Sequence, residues 1–152
     1  MSNSEPNTTV GFAGLGRMGS EMSRHLIEGG FDVLGYDPSS EASGRFEALG
    51  GTVAAAPEDL VGASVIMSSL PATAEMLGFY EDAIPRLEAG SLCIDLSTVS
   101  VDAARRVAGL AAEHSIEFLD APVSGTSTHA AAGTLVIMVG GSISGYQRSL
   151  PY

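Results

Sequence analysis

The sequence predicts an α/β fold in which a doubly wound, mostly parallel sheet is covered by helices on both faces. Short apolar runs alternate with helix-like segments along the whole chain. Most of these runs are apolar at nearly every position, which is typical of parallel strands buried on both faces. A glycine-rich turn also connects the first apolar run to the first helix-like segment. Strands and helices that alternate in this way form a parallel sheet, because each crossover helix packs on one of its faces.

The strands of the main sheet are predicted from runs bounded by turn residues. They are TVGFAGL (9–15), DVLGYD (32–37), GTVAA (51–55), SVIMSSL (64–70), SLCIDLS (91–97) and IEFLDAPV (116–123). The last apolar run, TLVIMVGG (134–141), follows a loop of small residues. Because only a loop separates this run from the strand before it, we expect it to be an antiparallel addition to the sheet.

Helices are predicted between these runs. In the first helix, Met18, Met22 and Leu26 recur at helical spacing, and the glycine pair at 29–30 ends it. The other helix-like segments are EASGRFEAL (41–49), a segment that starts near Thr73, and an alanine-rich segment from about Val101 to His114.

Size and charge limit the classes of function. The 152 residues, 45% of them hydrophobic, suffice for one full-sized core, so we expect one domain over 9–152 after a disordered extension at 1–8. A formal net charge of −11 argues against a nucleic-acid partner, which needs clustered Lys and Arg. No run approaches the ~18 apolar residues of a membrane span, and Cys93 has no partner for an internal disulfide. We therefore predict no nucleic acid, no membrane partner, no metal site and a cytoplasmic location.

The turn GLGRMG (14–19) lies where a dinucleotide-binding fingerprint must lie, between the first strand and the first helix. Gly14 allows the tight turn, Gly16 lets the backbone approach a pyrophosphate, and Gly19 lets helix and strand pack closely. The N–H groups and the dipole of the helix N-terminus then favour phosphate. The cofactor is expected to contact these glycines and the residues between them, which are Leu15, Arg17 and Met18.

Asp37 indicates which nicotinamide cofactor is bound. It ends the second strand, 18 residues after Gly19, close to the position where an acidic residue binds the ribose 2′-hydroxyl. Its carboxylate would repel a 2′-phosphate, and the nearest downstream arginine is Arg45. We therefore predict NAD rather than NADP.

Two later strand ends offer further contacts, because an open α/β sheet binds its ligand at the carboxyl ends of its strands. Pro71 ends one extended run and sets its loop against the cofactor. Ser97 and Thr98 place hydroxyl groups at the mouth of the next strand, where they contact cofactor or substrate. Alternatively they cap the following helix, although Ser100 is better placed for that role.

The glycine turn, Asp37, DLSTVS (95–100) and DAPVSG (120–125) occur in the order typical of one family. On these motifs the chain resembles the β-hydroxyacid dehydrogenases over residues 9–141. That family includes 3-hydroxyisobutyrate dehydrogenase and tartronate semialdehyde reductase, and is related to 6-phosphogluconate dehydrogenase. The resemblance implies NAD(P)-dependent oxidation of a small 3-hydroxy acid, or reduction of its semialdehyde. It also implies that Leu70, Pro71 and Thr98 contact the cofactor.

The resemblance further implies that Ser124 and Gly125 bind the substrate carboxylate, with Thr126 and Ser97 nearby. A carboxylate needs converging N–H and O–H donors, and a Ser-Gly turn offers both because glycine leaves the backbone N–H unshielded. Thr126 stands where the family usually has a second glycine, so either the turn or the substrate differs. His129 is either a solvated loop histidine or a side chain that selects the substrate.

The resemblance predicts no catalytic residue in this chain. Oxidation of an alcohol needs a group that takes the hydroxyl proton, and in this family a lysine on a later helical segment does so. All seven basic residues of this sequence are arginines. We interpret the chain as the N-terminal cofactor domain of a longer, homo-oligomeric enzyme, whose C-terminal helical catalytic and dimerisation domain is absent. The sequence stops at QRSLPY (147–152), inside an expected helix, which suits truncation and predicts exposed apolar surface near 134–141.

Two other hypotheses remain open. One is a non-catalytic module that binds or senses NAD or serves as an interaction surface. A downstream helix of the G-x-x-x-K-x-x-N type would favour the enzyme, whereas a genuine stop codon after Tyr152 would favour the module. The other is an imine reductase relative, which shares the domain plan without the lysine, although Asp37 and the PVSG motif (122–125) count against it.

Overall fold

In the computed structural model, which describes residues 8–152, six short strands form one parallel sheet. In chain order they are β1 (Thr9–Ala13), β2 (Asp32–Tyr36), β3 (Thr52–Val53), β4 (Val65–Ser68), β5 (Leu92–Asp95) and β6 (Glu117–Asp120). Across the sheet they lie in the order β3-β2-β1-β4-β5-β6, which is the order of the Rossmann fold. The predicted doubly wound α/β class is therefore confirmed.

Helices connect these strands. They are α1 (Arg17–Glu28), α2 (Ser40–Ala48), α3 (Thr73–Ala83), α4 (Val101–Glu113), α5 (Ser127–Ala132) and α6 (Ile143–Ser149), with 3-10 helices at Pro57–Gly62 and Ile84–Arg86. As predicted, α1 ends at Gly29. Ser100 caps α4, because its hydroxyl accepts a hydrogen bond from the backbone N–H of Ala103. Because Ser100 is the N-cap of α4, neither Ser97 nor Thr98 caps that helix.

The sheet buries apolar side chains on both faces, as near-continuous apolar strands predict. Helices α3 and α4 cover one face, with Met76 and Val107 among the buried residues. Helices α1 and α2 cover the other, where Leu26 and Phe46 are buried. Cys93 lies inside β5 with none of its surface exposed, and burial raises the pKa of its thiol to about 12. It is therefore a small buried apolar side chain rather than a reactive thiolate.

The segment after β6 differs from the prediction. The final apolar run supplies only β8 (Val136–Ile137), which pairs antiparallel with β7 (Val123–Ser124) in a separate two-stranded sheet. A single antiparallel bridge between Asp120 and Gly140 joins this hairpin to the end of β6. The run is antiparallel as expected, but it does not extend the main sheet.

Helix α5 is the cause of this difference. It occupies the stretch that the sequence indicated as a loop, because three consecutive alanines at 130–132 favour helix and Gly133 ends it in a left-handed conformation. The chain then returns along the surface. The side chains of residues 136–139 are 38–60% exposed, which confirms the expectation of exposed apolar surface near 134–141.

The predicted disordered extension at 1–8 lies almost wholly outside the described residues, which begin at Thr8. Within residues 8–152, no helix is both long enough and apolar enough to span a bilayer. The same part of the chain contains no group of three or more metal-ligating side chains close enough to hold an ion.

Candidate functional site

A groove of about 740 Å³ opens at the carboxyl edge of the sheet, above the ends of β1, β2 and β4. Strand β1 has β2 on one side and β4 on the other, so the crossovers leave it in opposite directions. Open α/β sheets bind their ligands at this kind of switch point. Eight of the ten residues expected to contact the cofactor line the groove: Gly14, Gly16, Arg17, Met18, Gly19, Asp37, Leu70 and Pro71.

The three glycines of the turn meet different constraints. Gly14 has φ +90°, and a Cβ there would collide with the Ser69 carbonyl oxygen. A Cβ on Gly19 would collide with the Gly14 carbonyl oxygen, so this glycine lets α1 pack against the end of β1. A Cβ on Gly16 would meet no atom of the described residues within 4 Å. The absence of a side chain at Gly16 therefore leaves groove space open instead of relieving a clash.

The N-terminus of α1 is left without local partners. Gly16 is its N-cap residue, and in the part of the chain that the structure describes no side chain caps the helix; the first turn contains no acidic residue. The first N–H groups of a helix have no partners within it, and the helix dipole places a partial positive charge there. Since Gly16 and Arg17 line the groove, this end of α1 faces the space where an anionic group would bind.

Asp37 connects the glycine turn to the end of β2. Its Oδ2 accepts a hydrogen bond of 2.8 Å from the backbone N–H of Leu15, and its Oδ1 accepts one of 2.8 Å from Ser39. These two bonds fix the carboxylate at the groove wall. A carboxylate has about four acceptor sites, so lone pairs remain for hydroxyl donors of a ligand.

Two residues expected to contact the cofactor do not line the groove. Leu15 is fully buried, and it contributes its backbone N–H to Asp37 instead of a side chain to the cavity. Thr98 is exposed beyond the end of β5, outside the residues that line the groove. Its contact with a bound nucleotide stays a prediction.

Sequence reasoning missed one wall of the groove. Residues of α3 and of the 3-10 helix after β3 form it, including Pro57, Glu58, Glu75, Phe79 and Asp82. On α3 three of them are spaced i, i+4 and i+7, which places them on one helix face. The spacing is visible in the sequence, but which face of α3 meets the groove depends on how the helix packs.

Beneath the groove, Asp95 is the centre of a buried hydrogen-bond network. Its Oδ1 accepts bonds from the hydroxyls of Ser68 (2.7 Å) and Ser97 (2.6 Å) and from the backbone N–H of Ser97 (3.2 Å). The Tyr80 hydroxyl lies 2.6 Å from Ser68 Oγ. Asp95 Oδ2 is buried and has no hydrogen-bond partner among residues 8–152. Burial raises the pKa of Asp95, against the opposing effect of these hydrogen bonds and with a smaller contribution from nearby Asp120.

This network places Ser97 below the groove surface. Ser97 is 3% exposed, and its hydroxyl accepts a 2.8 Å bond from the Leu70 N–H while donating to Asp95. Both functions of the hydroxyl are therefore used within the protein. Ser97 fixes the loop that contains Leu70, whereas the sequence had placed its hydroxyl at the mouth of the strand.

Asp95→Ala is expected to lower the free energy of unfolding by about 3 kcal/mol or more, because it leaves three buried donors without an acceptor at roughly 1–3 kcal/mol each. Asp95→Asn is the matched control. Asn can keep an oxygen at the Oδ1 position for the three donors, and its amide is then the one buried group without an acceptor, so a smaller loss of about 1–2 kcal/mol is expected. Urea denaturation of the two variants at neutral pH measures the difference, and equal losses would contradict the proposed hydrogen bonding.

The same pair tests the pH dependence of stability. A raised folded-state pKa means that the folded protein holds the Asp95 proton more tightly than the unfolded chain, so stability falls as pH rises. The fall begins near the ordinary carboxyl pKa of 3.8 and ends above the raised value. Asp95→Asn should flatten this part of the stability profile, and a slope identical to wild type would place the responsible group elsewhere.

Ser124, Gly125 and Thr126 lie exposed on the same carboxyl edge, beyond β6. Gly125 has φ +143°, and a Cβ there would lie 3.1 Å from His129 Cβ and 2.7 Å from a Leu135 methyl carbon. Thr126 is the N-cap residue of α5. Its backbone N–H donates to His129 Nδ1 at 3.0 Å. His129 is thus exposed, as predicted for a solvated loop histidine. It also fixes the start of α5.

Comparison with a model of the NAD-binding domain of 6-phosphogluconate dehydrogenase gives a match over residues 9–152. A protein of Mycobacterium tuberculosis described as a probable 3-hydroxyisobutyrate dehydrogenase is 42% identical over 145 residues, 95% of this chain and 49% of that protein. An NAD-dependent L-serine dehydrogenase of Pseudomonas aeruginosa is 36% identical over 146 residues, 93% of this chain and 49% of its own length. The chain therefore spans about half the length of these curated relatives.

A solved structure agrees with these sequence matches. It contains 3-hydroxyisobutyrate dehydrogenase of Mycobacterium tuberculosis with L-serine, and it superimposes with a TM-score of 0.91 at 41% identity. The match covers 95% of this chain and 50% of that one. The likeness therefore extends over nearly the whole fold described above.

Proposed function

The chain belongs to the family of the NAD-binding domain of 6-phosphogluconate dehydrogenase, and we propose that it is the cofactor-binding part of an NAD-dependent 3-hydroxyacid dehydrogenase. The two relatives reported above are described as dehydrogenases, which supports the proposal that the longer protein is an oxidoreductase. The reaction proposed for the longer protein is hydride transfer between nicotinamide and a small 3-hydroxy acid or its semialdehyde.

The observation that most supports this proposal is the environment of Gly16. It combines an open Cβ position, an uncapped helix N-terminus and a groove wall fixed by Asp37. A pyrophosphate needs converging N–H donors and close backbone approach, and these features supply both. The donors and the space fit a dinucleotide at this edge of the sheet.

Each part of the groove has a proposed task. Bound NAD would supply the hydride acceptor. The first turn of α1 would bind the pyrophosphate, and Asp37 would accept hydrogen bonds from the adenosine ribose. Leu70 and Pro71 would contact the cofactor from the loop after β4, whose position the Ser97 hydroxyl fixes through the Leu70 N–H. The walls would also exclude water from one side of the cofactor.

The substrate carboxylate is proposed to bind at Ser124, Gly125 and Thr126. The Ser124 hydroxyl is exposed, and Gly125 has no side chain to shield its neighbouring N–H groups. The solved relative with L-serine, itself a small 3-hydroxy acid, supports this class of ligand. Ser97 would act on the site indirectly, through the Leu70 loop.

We propose that the groove prefers NAD to NADP. Among the residues that the structure describes, the lining contains four acidic residues and a single basic one, Arg17. One of the acidic residues, Asp82, is paired with Arg86 at 2.8 Å, and the other three are Asp37, Glu58 and Glu75. A 2′-phosphate adds up to two negative charges to this acidic wall, and its repulsion would not be offset by an arginine at the ribose position.

The expected result is saturable binding of NADH that is at least ~10-fold tighter than that of NADPH, a difference of about 1.4 kcal/mol. Calorimetric or fluorescence titration measures it. Asp37→Asn should reduce the difference between the NADH and NADPH affinities, because it removes the negative charge while keeping a polar side chain. Asp32→Asn is the matched control, since it removes one exposed charge at the amino end of the same strand. Equal affinities for both cofactors in the wild type would refute the preference.

A second candidate function is a non-catalytic module that binds NAD. The observation behind it is that the 152 residues, in which all seven Lys or Arg side chains are arginines, contain no lysine that could take the hydroxyl proton. The family resemblance places the proton-transferring lysine in a later helical segment, so the two candidates differ in what accompanies this chain. The imine reductase alternative stays a lesser hypothesis.

For the longer protein we propose a homo-oligomer in the cytoplasm. The exposed apolar side chains of β8, of α6 and of the residues directly after each support an additional interface: Val136, Ile137, Met138, Ile143, Tyr146 and Leu150 are 47–78% exposed. A patch of this kind is typical of a surface that other polypeptide covers.

A further inference from the structure

Two side chains of α1 bind the C-terminal end of α5. His25 Nε2 lies 2.9 Å from the carbonyl oxygen of Ala130, and Arg24 Nη2 donates to that of Ala131 at 2.9 Å. A carbonyl oxygen only accepts, so His25 Nε2 must be the protonated nitrogen. We refer to these two hydrogen bonds as the α1–α5 contact.

The α1–α5 contact adds donors at the end of α5, where the Ala130 carbonyl also accepts from the Gly133 N–H and the Ala131 carbonyl accepts from Arg24. The last carbonyl groups of a helix lack donors within it, and a helix of six residues is too short to be stable alone. The two donors bind at this end of α5, where positive charge also interacts favourably with the helix dipole. The His25 ring packs beside Gly133, where a Cβ would lie 3.5 Å from its Cε1. The end of α5 is therefore held by α1.

Arg24 is oriented for this task by its own helix. Its Nε lies 3.0 Å from Glu21 and its Nη1 2.6 Å from Glu28, which leaves Nη2 directed at α5. His25 Nδ1 lies 3.6 Å from the second oxygen of Glu28. Because these carboxylates already restrict the Arg24 side chain, its part of the α1–α5 contact costs less conformational freedom than an unrestrained side chain would lose.

The other end of α5 begins directly after the proposed acid-binding residues. His129 accepts a hydrogen bond from the Thr126 N–H, so both ends of this short helix are fixed. We propose that Arg24 and His25 are positioning residues that hold Ser124, Gly125 and Thr126 in place for the substrate carboxylate. This inference rests on the function proposed above for those three residues.

The contact also ties the acid-binding segment to the helix that faces the nucleotide. Arg17, at the start of α1, lines the groove, and Arg24 follows seven residues later, about 10 Å along the helix. The segment at 124–126 is thus placed relative to α1 itself. A substitution at the α1–α5 contact should affect acid binding and leave nucleotide binding intact.

The test uses the 152-residue chain carrying Arg24→Ala and His25→Leu together, with two readouts. Hydrogen exchange of the Gly133 and Thr134 amides should become about tenfold faster, because they donate to the Ala130 and His129 carbonyls at the end of α5 that is released. Titration with 3-hydroxyisobutyrate in the presence of NADH, followed at the Ser124 and Gly125 amide signals, should show at least fivefold weaker binding. The dissociation constant of NADH should stay within twofold of wild type.

Two controls separate positioning from general destabilisation. His25→Gln keeps an N–H donor near the Nε2 position, so it should restore slow exchange and acid affinity when Arg24 is intact, whereas His25→Leu alone should not. Arg45→Ala removes an arginine that pairs with Glu41 on α2, and should change neither readout.

Unchanged exchange of the Gly133 and Thr134 amides in the double variant would overturn the inference. So would faster exchange with unaltered acid affinity, because the contact would then be structural only. If wild-type protein shows no response to the acid, the acid site proposed for Ser124–Thr126 fails, and the positioning role fails with it. Unchanged NADH binding in that case would leave the cofactor proposal standing.

Discussion

The 152-residue chain by itself is expected to bind NADH but not to oxidise 3-hydroxyisobutyrate, glycerate or related 3-hydroxy acids. All of its seven basic residues are arginines, which do not deprotonate in proteins and so cannot act as the general base. Loss of general acid–base catalysis alone costs ~10²–10⁴-fold in rate. A substrate bound to one open face would also be poorly oriented, which lowers the rate further. NADH formation followed by absorbance is the measurement.

His129 is the histidine closest in sequence to the proposed acid-binding residues, and it serves as the control. Its Nδ1 accepts a hydrogen bond from the Thr126 N–H, so the proton of the neutral ring lies on Nε2, and taking up a second proton at Nδ1 would break that bond. Turnover by the chain alone that disappears in His129→Ala would contradict the expected inactivity and identify His129 as the base. The assay is then repeated with a longer chain of the length of the relatives. Activity of the longer chain would support the dehydrogenase proposal. No activity of either chain would support the non-catalytic module.

Gly16→Val is expected to weaken NADH binding at least ~100-fold, about 2.7 kcal/mol, while the protein stays folded. The backbone of Gly16, with φ −64° and ψ −168°, suits any residue, and a Cβ there meets no atom within 4 Å. The added side chain therefore enters the space proposed for the pyrophosphate without disturbing the packing. Titration with NADH and circular dichroism measure the two effects.

Gly44→Val is the matched control for this experiment. Gly44 is exposed on α2, and a Cβ there also meets no atom within 4 Å. It lies outside the residues that line the groove, so the valine should leave NADH affinity unchanged. Wild-type affinity in Gly16→Val would mean that the pyrophosphate binds elsewhere.

The part of the site that local sequence encodes could be predicted. The glycine turn and Asp37 depend on backbone conformations and spacings that follow from a strand, a tight turn and a helix in succession. The strand order 3-2-1-4-5-6 then brings Leu70 and Pro71 to the same groove. Near-continuous apolar strands also predicted correctly that both faces of the sheet are covered.

The parts that depend on packing could not be predicted. Which face of α3 meets the groove is decided by contacts such as that of buried Tyr80 with Ser68, far apart in sequence. The sequence predicts that Ser97 contacts a ligand. In the structure its hydroxyl instead lies between Asp95 and the Leu70 N–H. Helix α5 is short and small-residue-rich, and its stability depends on Arg24 and His25, more than a hundred residues earlier.

The most direct test of the proposed cofactor site is NADH titration of ¹⁵N-labelled chain, followed residue by residue in amide NMR spectra. The expected result is saturable binding, with the largest shifts at the Gly14, Gly16 and Gly19 amides and at Asp37 and Leu70. Amides at the amino ends of the strands, such as that of Asp32, should not move. No saturable response, or shifts concentrated away from residues 14–19, would contradict the assignment of this groove as the NAD site.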